Sequence, residues 1–242
     1  MLSKKEIKDI QSLSHKKFRD ELNLFVAEGP KIVRELTETV PQQIEKVYAV
    51  KKWIEANKLL TQKATVVEVS DEELKRLSNM QTPNQVIAAV RKFSPEMPDE
   101  SSFTLYMDTI QDPGNFGTIV RLADWFGVKN IVCTPGCADL YNPKVVQSTM
   151  ASIARVNVYY DEKADWLQGQ TVPIYAATLS GISLYTHPKT EKGILIIGNE
   201  SKGISDEVLQ HATKQITIPK KGEAESLNAA VATGIILSHL LF

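Results

Sequence analysis

The chain has 242 residues, of which 43% are hydrophobic and 24% are charged, and its formal net charge is −1. These are ordinary values for a globular protein, and the length allows one large domain or two small ones with a sizeable core. The sequence has no apolar run of the ~20 residues that cross a bilayer, and its first residues lead into a charged helix instead of a signal peptide. We therefore expect a cytoplasmic protein with no membrane association.

Charge is distributed unevenly along the chain. Residues 1–92 hold 17 Lys and Arg against 13 Asp and Glu, whereas residues 93–242 hold 11 against 16. A basic first half indicates that a nucleic acid, if one binds, docks there. Solvated helix faces produce similar imbalances, so both interpretations stay open.

Short helices and short strands alternate over the first ninety residues. Residues 3–20 have the apolar spacing of one amphipathic helix, which ends in a basic cluster. The alternation predicts a small α/β domain over residues 1–93, and two prolines within residues 94–102 predict a linker. The further strand candidates are 24–27, 44–50, 65–69 and 86–90, and the further helix candidates are 30–37, 51–60 and 71–78.

The rest of the chain, residues 103–242, alternates apolar strands with helices. Continuous apolar strands predict a parallel sheet covered on both faces, and ligands of such sheets bind beyond the carboxyl ends of the strands. The strand candidates are 103–107, 130–133, 155–160, 172–177, 194–197 and 215–218, and the helix candidates are 115–126, 143–150, 161–167, 205–211 and a long one from about 226.

Two loops after these strands carry candidate functional residues. In the first, Asn115 and Arg121 are six residues apart, which is about 600° of helix, so they share a face only if Asn115 precedes the helix. An Arg exposed on an amphipathic face is the alternative to a functional Arg121. The second loop, Gly198-Asn199-Glu200, follows an apolar strand and closes before a helix with Ser205 as its expected cap. It has neither the phosphate-loop ending nor the dinucleotide glycine spacing.

The third loop follows the strand Ile216–Ile218, which Pro219 ends. After Gly222 a long apolar helix is expected from about Ser226. Ser and Asn near a helix start commonly cap its free N–H groups, so this loop is either a helix cap or one wall of a ligand site.

Taken in this order, the three loops closely resemble the three motifs of the SpoU (TrmH) family of RNA 2′-O-ribose methyltransferases. The resemblance covers residues 103–242, and residues 1–93 more loosely resemble the L30e-like RNA-binding domain that many members carry in front. The residues that match are Asn115 and Arg121 in the first motif, Gly198, Asn199 and Glu200 in the second, and Ile218, Pro219, Gly222, Ser226, Leu227 and Asn228 in the third.

The resemblance implies an enzyme that transfers a methyl group from S-adenosyl-L-methionine to a ribose 2′-hydroxyl of structured RNA, ribosomal RNA ahead of transfer RNA. It implies a SPOUT fold, a parallel sheet with its C-terminal segment threaded into a deep trefoil knot, and a homodimer formed through the C-terminal domain. No metal is expected. The last helix has an apolar stripe, a candidate for core or for dimer seam, formed by Val231, Ile235, Ile236 and Leu240.

Roles for the site residues also follow from the resemblance. Arg121 is the implied catalytic residue, either as a base with unusual help or as a group that grips a phosphate and orients the hydroxyl. The residues implied to orient Arg121 and the ribose are Asn115, Glu200, Ser226 and Asn228. The residues implied to hold the cofactor, chiefly through their backbone groups, are Gly198, Ile218 and Leu227, with Asn199 and Ser226 nearby.

The chain departs from the family pattern at three points, which put the particular substrate in doubt more than catalysis. Ser201 and Lys220 stand where members often have Gly and Met, and Ala229–Val231 lacks a second serine. Two other functions are considered. The first is an RNA-binding protein that has lost activity, which the intact motif residues argue against. The second is a methyltransferase that modifies a base, which is disfavoured because this set of motifs belongs to the ribose branch.

Overall fold

The computed structural model describes residues 2–98 and 102–242, which form two units. The first comprises the described residues up to Ser94 together with Asp139–Ala154, and the second comprises the described residues of Pro95–Ala138 and Arg155–Phe242. The strands are β1 Leu24–Glu28, β2 Ile44–Ala49, β3 Val66–Glu68, β4 Val86–Arg91, β5 Thr104–Met107, β6 Asn130–Cys133, β7 Asn157–Tyr160, β8 Ile174–Ser183, β9 Ile194–Ile197 and β10 Lys214–Thr217. The helices are α1 Lys4–Ser12, α2 Lys16–Leu22, α3 Pro30–Thr39, α4 Lys51–Ala56, α5 Lys58–Thr61, α6 Asp71–Leu77, α7 Pro113–Trp125, α8 Pro143–Thr149, α9 Asp206–Leu209 and α10 Ala229–Leu241.

The first unit is built on a four-stranded sheet in the order β1-β4-β2-β3. β4 is antiparallel to both of its neighbours, and β2 and β3 are parallel. The apolar side of α1, including Ile7 and Ile10, packs with Val26 and Ile87 of the sheet in one core. A capping box begins α6, in which the Ser70 hydroxyl accepts from the Glu73 amide.

The single helix predicted over residues 3–20 is wrong, because the chain turns between α1 and α2. Leu13 at the turn is fully buried. Arg19 is only 3% exposed, and its Nη1 donates to the carbonyls of Leu13 and Ser14, each at 2.9 Å, which satisfies acceptors left free where α1 ends. Its Nη2 pairs with Asp139. The predicted basic cluster therefore loses Arg19 as a surface charge.

The first unit also includes a segment from the middle of the chain, residues 139–154. The predicted first domain, residues 1–93, did not include this segment. Residues 139–154 carry α8, whose Val145 and Val146 are buried. The ring of Tyr141 lies 5.0 Å from that of Phe25, and its hydroxyl accepts from the Phe93 amide at 2.9 Å. The inclusion of residues 139–154 could not be predicted from local composition, because these contacts join residues far apart in sequence.

The second unit is built on six parallel strands in the order β10-β8-β9-β5-β6-β7, which confirms the predicted parallel α/β sheet. Its central strands β5 and β9 are buried along their whole length. Of the apolar stripe on α10, Ile236 and Leu240 are buried, Ile235 is half-buried and Val231 is exposed. The stripe is therefore core at two positions and surface at one.

Two further predictions are corrected in the second unit. The helix expected over 161–167 is a pair of turns, because the buried Asp161 carboxylate accepts from the amides of Asp165 and Trp166. Part of the predicted linker 94–102 is docked: the Asn157 side chain accepts from the Glu96 amide and donates to the Glu96 carbonyl, at 3.1 and 2.8 Å. Residues 99–101 of that linker lie outside the described residues. Within the described ranges, no helix is long and apolar enough to cross a membrane.

Candidate active site

The three candidate loops meet at one edge of the parallel sheet. They follow β5, β9 and β10, and the strand order sets β9 beside β5 and separates β9 from β10 by β8 alone. Because all six strands run the same way, their carboxyl ends share this edge, which is where ligands of such sheets bind.

The first loop leads into α7, which begins earlier than predicted. The Asp112 carboxylate accepts from the Asn115 amide at 2.8 Å and caps the helix, and Pro113 occupies its first position. Asn115 therefore lies within the first turn and not before the helix, so its side chain and that of Arg121 leave different faces. Arg121 is exposed and makes no hydrogen bond or ion pair with any described residue.

The second loop is cross-linked to itself. A side chain at Gly198 would bring its Cβ within 2.4 Å of the Gly203 backbone, so only glycine fits there. Asn199 and Gly203 exchange two backbone hydrogen bonds of 2.9 Å, and Asn199 Oδ1 accepts from the amides of Ser201 and Lys202 at 3.0 Å. These bonds fix the shape of the turn that carries Glu200.

The third loop ends at the start of α10, and the helix predicted from about Ser226 begins only at Ala229. Asn228 has an extended backbone, and its Oδ1 accepts from the amides of Ala230 and Val231 at 3.0 and 3.2 Å. It is therefore the N-cap, and Ser226 and Leu227 lie in the exposed loop before it.

A directional chain of hydrogen bonds joins the three loops. Because the cap engages Oδ1 of Asn228, its Nδ2 is the group that faces Asn115, and it donates to Asn115 Oδ1 at 2.8 Å. The Asn115 amide is then oriented so that its Nδ2 donates to Glu200 Oε1 at 2.7 Å. We call these three residues the amide relay. The structure thus brings together three of the five predicted catalytic residues, and it joins neither Arg121 nor Ser226 to them by a hydrogen bond.

The third loop has free groups suited to S-adenosylmethionine. Across the described part of the chain, no main-chain amide of residues 220–227 donates a hydrogen bond. Leu227 is 47% exposed and Ile218 is half-buried, so apolar surface lies beside those free amides. Apolar side chains next to backbone donors and acceptors fit a purine ring and its polar edge. The predicted residues at Gly198, Ile218 and Leu227 therefore fit this cofactor.

Sequence reasoning missed one segment of the site, residues 177–181 of β8. β8 pairs with β9 through Ala176 and Ile196, which sets Thr178 level with Gly198. The pairing of β8 with β10 then jumps from Ala176 to Ile182, so the intervening residues bulge out of the sheet between the second and third loops. The Thr178 hydroxyl is buried without a partner among the described residues, as expected where a ligand supplies one. The polar Thr178 at the end of an apolar strand was the signal available in the sequence.

Comparison with known families and relatives agrees with the site. The profile of the SpoU rRNA Methylase family matches residues 102–238, and that of the MRM3-like substrate binding domain matches residues 4–88. A relative from Bacillus subtilis, the 23S rRNA (guanosine(2553)-2′-O)-methyltransferase RlmP, is 32% identical over 97% of this chain and 95% of its own length.

Two solved structures extend the likeness over the whole chain. A protein from Porphyromonas gingivalis assigned to the TrmH family of RNA methyltransferases superposes with a TM-score of 0.90 at 37% identity, covering 100% of this chain and 98% of its own. An rRNA methyltransferase from Sinorhizobium meliloti, solved with AdoMet bound, gives 0.85 at 28% identity, covering 99% and 96%.

The parallel sheet and the three joined loops define an RNA methyltransferase of the α/β class. More narrowly, the chain belongs to the SpoU rRNA Methylase family. Membership confirms the predicted enzyme class, an RNA (ribose-2′-O-)-methyltransferase, and its predicted cofactor, S-adenosylmethionine.

Proposed function

We propose that this protein methylates a ribose 2′-hydroxyl in structured ribosomal RNA, with Arg121 as the residue that acts on the hydroxyl. The amide relay is the observation that carries the proposal, because it joins one residue from each motif at the sheet edge where the cofactor residues also lie. The name of the Bacillus subtilis relative supports ribosomal RNA ahead of transfer RNA. We also propose a cytoplasmic location, which is compatible with such a substrate.

The chain's residues have separate tasks in this reaction. Bound S-adenosylmethionine supplies a methyl group on a positively charged sulfur. Backbone groups of Gly198, Ile218 and Leu227 hold the cofactor, and the amide relay keeps Glu200 in place beside it. With the cofactor bound, the bond from the 2′-oxygen to the methyl carbon would form as the methyl–sulfur bond breaks, S-adenosylhomocysteine would be the leaving group, and the hydroxyl proton would pass to water. Alignment of the hydroxyl with the C–S bond is therefore the main contribution that the protein makes.

Arg121 is better suited to alignment than to proton removal. A guanidinium is a very poor base, whereas its planar fork grips a phosphate and can hold the neighbouring ribose. Its exposure on α7 leaves it free to meet RNA. We therefore infer a positioning role for Arg121 at the phosphate next to the target ribose.

We also propose a homodimer in which Arg121 serves the partner's site. Arg121 and Trp125 are four residues apart on α7 and so share a face, and Trp125 is 80% exposed. Val231 and Phe242 of the C-terminal segment are exposed as well. Exposed large apolar side chains are typical of surfaces that a second subunit covers. A partner seated there would bring its own site to Arg121.

The first unit is proposed to dock the RNA. The match to a substrate binding domain and the excess of Lys and Arg in residues 1–92 support this role. Deleting residues 1–94 is a poor test, because α8 would lose the partners of its buried side chains. Reversing the charge of the exposed Lys4, Lys5 and Lys52 to Glu is a cleaner test, and it is expected to weaken RNA binding and to flatten its salt dependence.

We further propose that the C-terminal segment is threaded as the family's deep knot. The end of α10 is tied to a distant segment, because the Thr190 amide donates to the Leu240 carbonyl at 2.7 Å. Gly234 in the middle of the helix lies against Leu122 of α7. Both contacts support an α10 that is held inside the second unit and not attached as a tail.

The test is a comparison of methylation maps. Ribosomal and transfer RNA from cells with and without this protein are mapped for 2′-O-methyl groups, and the proposal predicts the loss of a ribosomal site. Loss of a transfer RNA site would correct the substrate, and maps without any difference would contradict the proposal. An RNA-binding protein that has lost activity would be recognised by calorimetry that detects no S-adenosylmethionine binding.

A further inference from the structure

We infer that Asp108 is a positioning residue that seats the second loop, residues 198–205, against the end of β5. The inference rests on the proposed function, in which this loop is one wall of the cofactor pocket. Asp108 directly follows β5 and is only 3% exposed. A buried carboxylate is strongly unfavourable unless hydrogen bonds replace its lost hydration.

Among the described residues, Ser205 of the second loop and the adjacent Thr109 supply the hydrogen bonds to the Asp108 side chain. Its Oδ2 accepts from the Ser205 amide at 2.7 Å and from the Ser205 hydroxyl at 2.8 Å. Its Oδ1 accepts from the Thr109 hydroxyl at 3.0 Å. Ser205 was expected to cap the following helix, but its side chain makes no capping hydrogen bond. Ser205 occupies the predicted N-cap position of α9, but its hydroxyl faces Asp108 instead of the helix.

Thr109 holds the other end of the same loop. Its carbonyl accepts from Asn199 Nδ2 at 2.8 Å, and its amide donates to the Thr134 hydroxyl at 2.9 Å. Thr109 has a φ of 58°, in the left-handed region that a β-branched residue rarely adopts. Such a conformation is unfavourable and persists only where its surroundings fix it. Asp108 and Thr109 thus hold both ends of the loop, Ser205 and Asn199, from two adjacent positions.

The turn that contains Cys137 also holds Asp108 and Thr109 in place. The Cys137 thiol accepts from the Ile110 amide at 3.3 Å and donates to the Met107 carbonyl at 3.2 Å, so it grips the chain on either side of Asp108 and Thr109.

Because the second loop is held together by its own hydrogen bonds, its attachment to Asp108 and Thr109 sets the position of the whole loop. Because Gly198, Asn199 and Gly203 are bonded within the loop, it moves as one body when an anchor is lost. Replacing the Asp108 carboxylate with a neutral amide, which has only one acceptor oxygen, should therefore displace the second loop, and no residue of the RNA-docking unit is changed. Weaker binding of S-adenosylmethionine, with RNA affinity unchanged, is the expected signature.

Asp161 offers a matched control in the same unit. It is 2% exposed, and it accepts from two backbone amides, those of Asp165 and Trp166, at 3.3 and 3.0 Å. It follows the edge strand β7, two strands away from β5. Asp161→Asn should lower the melting temperature as Asp108→Asn does, but it should leave cofactor affinity unchanged.

The experiment measures calorimetric Kd for S-adenosylmethionine, RNA affinity and melting temperature for wild type and four variants. We expect Asp108→Asn to weaken cofactor binding by about tenfold, because it loses hydrogen bonds to a charged acceptor, and Ser205→Ala by about threefold. The double variant should lose less affinity than the product of the two single losses, because both changes weaken the same Asp108–Ser205 hydrogen bond. Asp161→Asn is the fourth variant.

Three results would overturn the inference: a Kd for Asp108→Asn within about twofold of wild type, an equal loss in Asp161→Asn, or additive losses in the double variant. If Asp108→Asn does not fold, Ser205→Ala decides alone, and an unchanged Kd there overturns it. A wild-type protein that does not bind S-adenosylmethionine would instead contradict the proposed function.

Discussion

Asn115 donates a hydrogen bond from Nδ2 to Oε1 of Glu200 at 2.7 Å, across a sequence separation of 85 residues. The donor's orientation is set by Asn228, whose own oxygen caps α10. The amide at 115 and the carboxylate at 200 are therefore a matched donor and acceptor. Swapping the two groups tests whether the reaction needs only the hydrogen bond between these positions.

The exchange is made with Asn115→Asp, Glu200→Gln and the double variant. Asn115→Asp sets two carboxylates against each other and should lower kcat by about 100-fold, the scale of losing one preorganised group. In the double variant, an amide at 200 donates to a carboxylate at 115 that can still accept from Asn228. We expect its kcat to recover to within about tenfold of wild type.

A double variant as inactive as Asn115→Asp would show that the Glu200 charge itself meets the substrate or cofactor. Melting temperatures of all three proteins separate loss of chemistry from loss of folding.

Asn228 has two roles, which can be tested separately. Asn228→Asp keeps an oxygen for the amides of Ala230 and Val231, and a negative charge suits a helix N-terminus, so stability should hold. It loses the donor to Asn115, so kcat should fall. Asn228→Ala should also lose about 1 kcal/mol of stability with the cap. Equal kcat for Asn228→Asp and wild type would contradict the relay.

The predictions that succeeded rest on local patterns. Apolar strands such as Ile194–Ile197 can be predicted from sequence, because strand burial follows from the pattern of neighbouring residues. The failures concern distant partners. Nothing near Arg19 indicates that it is buried against Asp139, and the polar Thr178 does not by itself indicate that β8 bulges between two loops. Both depend on contacts that only the folded chain creates.

Gly198 provides a steric test of the cofactor wall. Gly198→Ala sets a methyl group within 2.4 Å of the Gly203 backbone, so the turn must open and cofactor affinity should fall by about tenfold or more. Gly222→Ala is the control, since a Cβ there meets nothing within 4 Å and its melting temperature should not change. If calorimetry finds that Gly198→Ala binds S-adenosylmethionine with wild-type affinity, the close approach of Gly198 to the Gly203 backbone is refuted.

Arg121→Ala should abolish methyl transfer and leave S-adenosylmethionine binding nearly unchanged, because Arg121 is exposed and takes no part in the hydrogen bonds of the amide relay. If Arg121 serves the partner's site, mixing subunits of Arg121→Ala and Glu200→Ala should restore activity. One of the two sites in the mixed dimer then has both residues intact, whereas sites served from their own subunit would all stay inactive. Substantial turnover by Arg121→Ala alone would contradict the proposed role of Arg121 in methyl transfer.

The central claim is methyl transfer from S-adenosylmethionine to a ribose oxygen. Its most direct measurement incubates the purified protein with ribosomal RNA and S-adenosylmethionine that carries an isotope-labelled methyl group, digests the RNA to nucleosides and locates the label by mass spectrometry. The account predicts label on the ribose of a 2′-O-methylnucleoside. Label on a base, or RNA that stays unlabelled while the cofactor binds, would contradict it.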